Sequence, residues 1–234
     1  MHRNGRTLNP IEPIDIELGQ TSKWCKSTTP GGSSQSRREF ADHYATLIWL
    51  ALPLILASKS PRRAELLATA GIPFTVRARE VEEIRTPGEP PDDYARRLAR
   101  AKAESAWEER NEIVLGADTI VVVDQYVLEK PRDASEARAM LRRLSGREHT
   151  VITAICLRHS GGAQVDSSAT RVRFTPLTDS EIAAYVATGE PMDKAGAYAV
   201  QGLASKFVER IEGCYFNVIG LPLSQVYRYL KSLE

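Results

Sequence analysis

From residue 53 onward the apolar residues fall into two patterns by turns. Short continuous or alternating apolar runs read as strands, and stretches with apolar residues three and four apart read as helices. Leu54 to Ala57 is the first buried strand. The polar turn Ser58 to Arg63, SKSPRR, follows it. Pro61 is placed to open a helix that runs to about Ala70 and stops at Gly71. A second strand is predicted over Phe74 to Val76, and a long helix over Asp92 to Arg110, entered through Pro90-Pro91 with Tyr94, Leu98 and Ala101 on one side. Ile113 to Val123, IVLGADTIVVV, is a buried strand region predicted to be interrupted at Gly116-Ala117-Asp118-Thr119. Asp133 is a good N-cap for a helix through Leu144, which Gly146 ends. Thr150 to Leu157 and Ala169 to Thr175 alternate as strands, and Asp179 to Thr188 is a helix. Phe207 to Ile211 and Tyr215 to Ile219 read as strands around the turn at Glu212-Gly213, before a closing helix over Leu221 to Leu233. The order predicts an α/β fold whose sheet is mixed, because antiparallel pairs are interspersed with the crossovers.

The leading residues follow neither pattern. Thr21 to Ser36, TSKWCKSTTPGGSSQS, is mostly Ser, Thr, Gly, Pro and Gln and has little to bury. Residues 1–45 therefore read as a disordered extension ahead of one domain over 53–234. The apolar run Leu47 to Ala57, LIWLALPLILA, falls short of the ~18 residues of a membrane span and carries Pro53. Ser36 to Phe40, SRREF, precedes it and imitates a twin-arginine export signal. Composition alone leaves that run open between an export signal and a core strand.

Charge and cysteine content exclude some classes of function. Lys and Arg number 31 against 30 Asp and Glu, a net charge of +1. A protein that lives on a nucleic-acid backbone shows a basic excess, so none is implied. Cys25, Cys156 and Cys214 are widely spaced, without a CxxC pair, and there are 4 His residues. Neither a disulfide framework nor a zinc site is predicted, and the thiols point to a reducing compartment.

Five segments carry candidate chemistry. In SKSPRR a strand leads through a serine-rich turn into a helix, where free backbone N–H groups and the helix dipole favour anions. Ser58 and Ser60 add hydroxyls, and Arg62 and Arg63 add guanidinium groups suited to phosphate. The same composition also describes a solvated helix start, and GxxxxGK[ST] is absent. Asp118 of GADT lies in a run of Ile, Val and Leu, where an unpaired carboxylate is costly to bury, so it must reach a cleft, a cation or a metal. Asp124 reads as a plain hairpin turn. In LEKPRDA, Pro131 holds Lys130 extended, where it is either a point charge for phosphate or an exposed loop residue. In DKAGAYAVQG, Asp193 to Gly202, Gly196 and Gly202 permit close backbone approach, Lys194 supplies charge, and Gln201 offers both donor and acceptor to a base edge, though a glycine-rich loop with no ligand has the same composition. Glu82-Glu83 is either a hard-cation site or a solvated acidic turn. Lys102 follows Leu98 by one helical turn and so lies on the inner face, snorkelling or pointing into a cleft.

Taken together, LILASKSPRRAELLATAGI, VLGADTIVVVDQYVLEKPRDASEARAMLRRLSGREHTVITA, TDSEIAAYVATGEPMDKAGAYAVQG and FVERIEGCYFNVIGLPL resemble the Maf family of nucleotide pyrophosphatases over about residues 53–232. The resemblance implies an inosine-triphosphatase-like α/β fold, with a long mixed sheet, flanking helices and two lobes around a central cleft. It implies hydrolysis of a nucleoside triphosphate to the monophosphate and pyrophosphate with a divalent metal, Mg or Mn. Asp118 matches the family's proton acceptor, and Arg62, Thr119 and Gln201 match its specificity positions. Ser58, Arg63, Glu83, Lys102, Lys130, Asp193 and Lys194 match further polar positions of the cleft, with Glu83 and Asp118 as the expected metal contacts. ADT, SPRR and DKAGAY with Gln201 resemble the dTTP/UTP branch. The sister branch, which acts on 7-methyl-GTP, has DQ in place of Asp118-Thr119 and Glu in place of Gln201. Lys59, Ala199 and Val200 are small departures from the family pattern.

The resemblance also settles the apolar run, since 54–57 match the family's first strand and cleavage after Ala57 would remove it. A cytoplasmic protein is therefore expected, with no membrane partner and a possible homodimer. The competing expectations are a non-enzymatic regulator of septum formation, a pyrophosphatase of the 7-methyl-GTP branch and, more remotely, a nucleic-acid-binding module.

Overall fold

The structure, a computed structural model, describes residues 52–233. The expectation for residues 1–45 lies outside the described residues. In chain order the elements are β1 (Leu54–Leu56), α1 (Pro61–Thr69), β2 (Thr75–Val76), α2 (Pro91–Ala106), β3 (Ile113–Val123), β4 (Tyr126–Leu128), α3 (Ala134–Leu144), β5 (Glu148–His159), β6 (Gly162–Phe174), α4 (Asp179–Ala187), β7 (Val208–Glu212), α5 (Tyr215–Ile219) and α6 (Leu223–Lys231). Short 3-10 turns at Glu190–Asp193, Ala195–Ala197 and Leu203–Phe207 fill the stretch between α4 and β7.

One seven-stranded sheet runs β2-β1-β3-β5-β6-β7, with β4 added to β3. The β1 pairings with β2 and β3 are parallel and the remainder antiparallel, which is the mixed sheet the sequence predicts. The long strands carry an apolar core on either face at one end. Leu115, Ala117, Ile155 and Leu157 pack beneath α1 and α6. Ile55, Val114, Ala154 and Cys156 pack beneath α2. A third core gathers at the other end of β3, where Val121 and Val123 meet α3, α4 and the Tyr198 loop.

The structure departs from the pattern reading in four places. First, β3 is continuous from Ile113 to Val123, with no break at GADT. What breaks there is its partner. β1 pairs as far as Leu115 and β4 begins at Val121 on the same edge, so β3 is unpaired on that side over Gly116 to Ile120. Second, Tyr215 to Ile219 is a helix, not a strand. Its β-branched and aromatic residues favour a strand, but Asn217 is fully buried. Its amide donates to Val151 O (3.0 Å) and Thr170 Oγ1 (2.9 Å) and its Oδ1 accepts from Thr153 N–H (3.1 Å). Tertiary hydrogen bonds override propensity here. Third, β6 begins at Gly162, well before Ala169. Its first half is polar because β7 covers it only from Arg171, leaving that half as a sheet edge. Fourth, the helix predicted over Asp92 to Arg110 ends at Ala106. There the buried Glu112 carboxylate accepts from the N–H groups of Glu108 (2.8 Å) and Glu109 (3.2 Å) and fixes a turn. Among the described residues no helix is long and apolar enough to cross a membrane.

Candidate active site

The gap beside Gly116 to Ile120 opens into a cleft of about 490 Å³, and the candidate residues singled out above border it, except Glu82, Gly196 and Gly202. Side chains alternate along β3, so neighbours in the GADT motif serve opposite walls. Asp118 shares a face with Gly116 and Ile120 and is 6% exposed. Lys102 reaches it from α2, with Nζ 2.6 Å from Asp118 Oδ1. This reach depends on how closely α2 lies on β3. A Cβ on Gly116 would fall 2.2 Å from the Ala99 carbonyl oxygen and 2.6 Å from the Ala103 nitrogen, so only glycine admits the helix. The same ammonium lies 2.6 Å from Glu83 Oε1, drawing the loop between β2 and α2 over the cleft.

Thr119 points to the other face and is built into the floor. Its hydroxyl accepts from Arg63 Nη2 (3.0 Å) and shares a hydrogen bond with Thr153 Oγ1 (2.9 Å). Arg63 also donates to Ser58 Oγ (3.0 Å) and to the Gly220 carbonyl (2.8 Å). One guanidinium thus ties the SKSPRR turn to β3 and to the C-terminal end of α5. Its acceptors are all uncharged. Burial pulls the Arg63 pKa down, against the opposing pull of the Asp118 charge. Ser58 is buried, and its hydroxyl additionally accepts from Ser60 N–H (3.2 Å).

Arg62 turns the other way, toward the segment after α4. Its Nη1 lies 2.9 Å from Asp193 Oδ2, and Lys194 Nζ lies 2.5 Å from Asp193 Oδ1. Burial alone would raise the Asp193 carboxyl, but hydrogen bonds from Lys194 and Arg62 outweigh it and hold it down at about 2. Gly196 N–H donates to the Glu129 carbonyl (3.1 Å), which fastens this segment beside Lys130. Lys130 and Gln201 are exposed at the cleft wall.

The pattern reading misses one cleft group, Glu129, and the buried phenol that bonds it, Tyr94. Glu129, beside Lys130, borders the cleft, and Tyr94 O–H donates to its Oε1 at 2.5 Å, with the Glu83 carbonyl also within 3.0 Å. Tyr94 is fully buried, and burial followed by the Glu129 hydrogen bond raises its phenol pKa. Its helical position marks it only as core. The signal that could have found it is the phenol itself, since a buried Tyr hydroxyl needs a partner.

The acidic groups fit a cation only of a particular kind. Among the described residues no three His, Cys, Asp or Glu side chains gather as a metal cage. Glu83 and Asp118, however, converge on one ammonium at 2.6 Å each, so the pair already holds a cation between them. Mg²⁺ is commonly held by one or two carboxylates with the rest of its shell from phosphate and water. The donor set therefore fits a metal that arrives with a phosphorylated ligand. Burial would raise the Glu83 carboxyl, but the Lys102 hydrogen bond and the charges of Lys102, Lys130 and Arg63 bring it below the usual range.

A carboxylate at a sheet gap, faced by cations from four separate segments, can seat a polyanion and accept a proton beside it. Comparison with known proteins agrees with that chemistry. The chain is 52% identical to the dTTP/UTP pyrophosphatase of Koribacter versatilis over 183 residues, covering 78% of this chain and 95% of that one. It is 50% identical to the dTTP/UTP pyrophosphatase of Anaeromyxobacter dehalogenans (78% and 94% covered) and 47% identical to that of Pseudoalteromonas atlantica (77% and 97% covered). Among solved structures the likeness is more distant, 13% identity and a TM-score of 0.47 to the Ham1 protein of Staphylococcus aureus, over 78% of this chain and 100% of that one. Residues 53–233, more than three quarters of the chain, match the family of Maf-like proteins, and the chain belongs to the Maf family.

Proposed function

We propose that this protein is a nucleoside triphosphate pyrophosphatase that hydrolyses dTTP and UTP to the monophosphate and pyrophosphate, clearing unwanted nucleotides in the cytoplasm. The observation that carries the reading is the Asp118 carboxylate, 2.6 Å from Lys102 in a cleft that Arg62, Arg63, Lys130 and Lys194 also border.

Hydrolysis between the α and β phosphates requires charge neutralisation, an in-line water and an acceptor for its proton. Arg62, Lys130 and Lys194 neutralise the triphosphate. Arg62 offers a planar fork to phosphate oxygens, and the two lysines act as point charges. Asp193 holds Arg62 and Lys194 in place from behind, so the phosphates meet side chains already oriented. Asp118 accepts the proton of the attacking water as its oxygen bonds the α phosphorus. The bond from that phosphorus to the bridging oxygen breaks, and pyrophosphate leaves with the electron pair. Lys102 orients Asp118 for this step, and α2 fixes Lys102. Glu83 and Asp118 would hold a divalent Mg or Mn with the phosphates, and when bound it adds positive charge and lowers the pKa of a bound water. Thr119, through Arg63, shapes the floor, and Gln201 reads the base. A neutral amide matches the carbonyl and N–H edge of thymine and uracil, whereas a carboxylate there suits a purine edge rich in donors.

The test is a panel of dTTP, UTP, dCTP, GTP and 7-methyl-GTP assayed for pyrophosphate release with Mg²⁺ or Mn²⁺. The proposal expects dTTP and UTP to be the preferred substrates. Preference for 7-methyl-GTP would move the protein to the sister branch, and release from none would overturn the reading.

A further inference from the structure

Gln201 has no hydrogen bond of its own among the described residues, yet the chain on both sides of it is fastened to one pair of side chains. Ala199 N–H donates to Tyr185 Oη (3.3 Å), and Tyr185 O–H donates to Glu190 Oε1 (2.8 Å). The other carboxylate oxygen, Oε2, accepts from Leu203 N–H (3.1 Å). Gly202 N–H closes the turn onto the Ala199 carbonyl (3.1 Å). Gln201 therefore sits on a turn whose two feet, Ala199 and Leu203, rest on a phenol and a carboxylate that are themselves bonded. The fit is tight, because a Cβ on Gly202 would lie 2.5 Å from Glu190 Oε1 and 2.6 Å from Oε2. Tyr185 is buried, and its ring packs edge-on against Phe207.

We propose that Tyr185 and Glu190 are specificity-positioning residues, which set the depth at which Gln201 meets the base without touching the nucleotide. This rests on the pyrimidine-reading role given to Gln201 above. The phosphate end of the same segment is held differently. Lys194 Nζ donates to the Glu190 backbone carbonyl (2.6 Å), a contact that no side-chain substitution at Glu190 removes. Side-chain changes in the pair should therefore loosen base selection and spare phosphate handling. A general folding role predicts the opposite, an equal loss with every nucleotide.

The experiment compares kcat and KM for dTTP and dGTP in the wild type, Tyr185→Phe, Glu190→Gln and Gly202→Ala, with Tm measured for each. Tyr185→Phe keeps the ring and loses the relay. Gly202→Ala leaves both side chains and forces the carboxylate off the turn. The expected result is a fall of about five- to tenfold in the dTTP over dGTP ratio of kcat/KM, the equivalent of one lost hydrogen bond. It should come mainly through KM for dTTP, with kcat within about threefold of wild type. Should wild type favour dTTP while Tyr185→Phe and Gly202→Ala keep its full preference, the positioning role is refuted and the pyrimidine reading stands. A wild type with no preference for dTTP removes the reading and the inference together.

Discussion

Asp118 and Thr119 are adjacent in sequence and do different work because a strand sends them to opposite faces. Asp118 meets Lys102 of α2, and Thr119 meets Arg63 of α1. The sequence marks Asp118 clearly, since a carboxylate among Val, Ile and Leu must have a partner. It does not mark Thr119 in the same way, and the structure shows why its hydroxyl matters: Arg63 and Thr153 both use it. Gln201 lines the cleft with its side-chain amide unbonded among the described residues. Gln201→Glu puts a negative charge where a thymine or uracil carbonyl would lie. Its kcat/KM for dTTP and UTP should drop about tenfold or more, with a smaller loss for dGTP, because a mismatched buried polar contact is costly. Steady-state kinetics on the three nucleotides checks this, and unchanged selectivity would remove Gln201 from base reading.

At the scale of elements, the cleft depends on helix α2 lying directly on β3. Gly116→Ala forces a methyl group into the Ala99 carbonyl, so the helix must move or the strand must bend. Overpacking of this kind costs about 1–3 kcal/mol. Because Lys102 rides on that helix, turnover should fall further than Tm alone explains. Chemical denaturation with kinetics on wild type and Gly116→Ala measures the effect; full activity in Gly116→Ala would show that the close approach is not required. The strand β5 offers a second test. His149 is buried between Phe174 and Tyr198, with Nε2 2.9 Å from the Tyr198 hydroxyl and Nδ1 without a partner among the described residues. Burial pulls its pKa from 6.5 to about 4. The unfolded chain therefore takes up a proton that the folded chain refuses. Stability is full above pH 6.5 and declines as pH falls to about 4, by on the order of 3 kcal/mol. Unfolding free energies across that window should show the decline in wild type and a flatter profile in His149→Phe. Equal slopes in both proteins would mean that His149 does not cause it.

Across the whole molecule, the elements were legible where a local signal agreed with the global one. Asp133 caps α3 through Glu136 N–H, and the SKSPRR turn opens α1 at Pro61, both as the sequence predicts. Tyr215 to Ile219 was misread because the force that makes it helical comes from β5 and β6, distant in sequence, through Asn217. The break expected at GADT is real but belongs to pairing, since β1 and β4 share one edge of β3 and leave Asp118 between them. No period along the chain encodes a change of neighbour. The candidate site was more legible than its supports, because charged residues in apolar surroundings announce themselves and the hydroxyls and phenols that brace them do not. Product identity tests the central proposal most directly. ³¹P NMR of dTTP turned over by the wild type with Mg²⁺ should show pyrophosphate and dTMP appearing together, and Asp118→Asn should bind dTTP yet lose nearly all of that signal. Inorganic phosphate with dTDP, or an Asp118→Asn protein as active as wild type, would contradict the account.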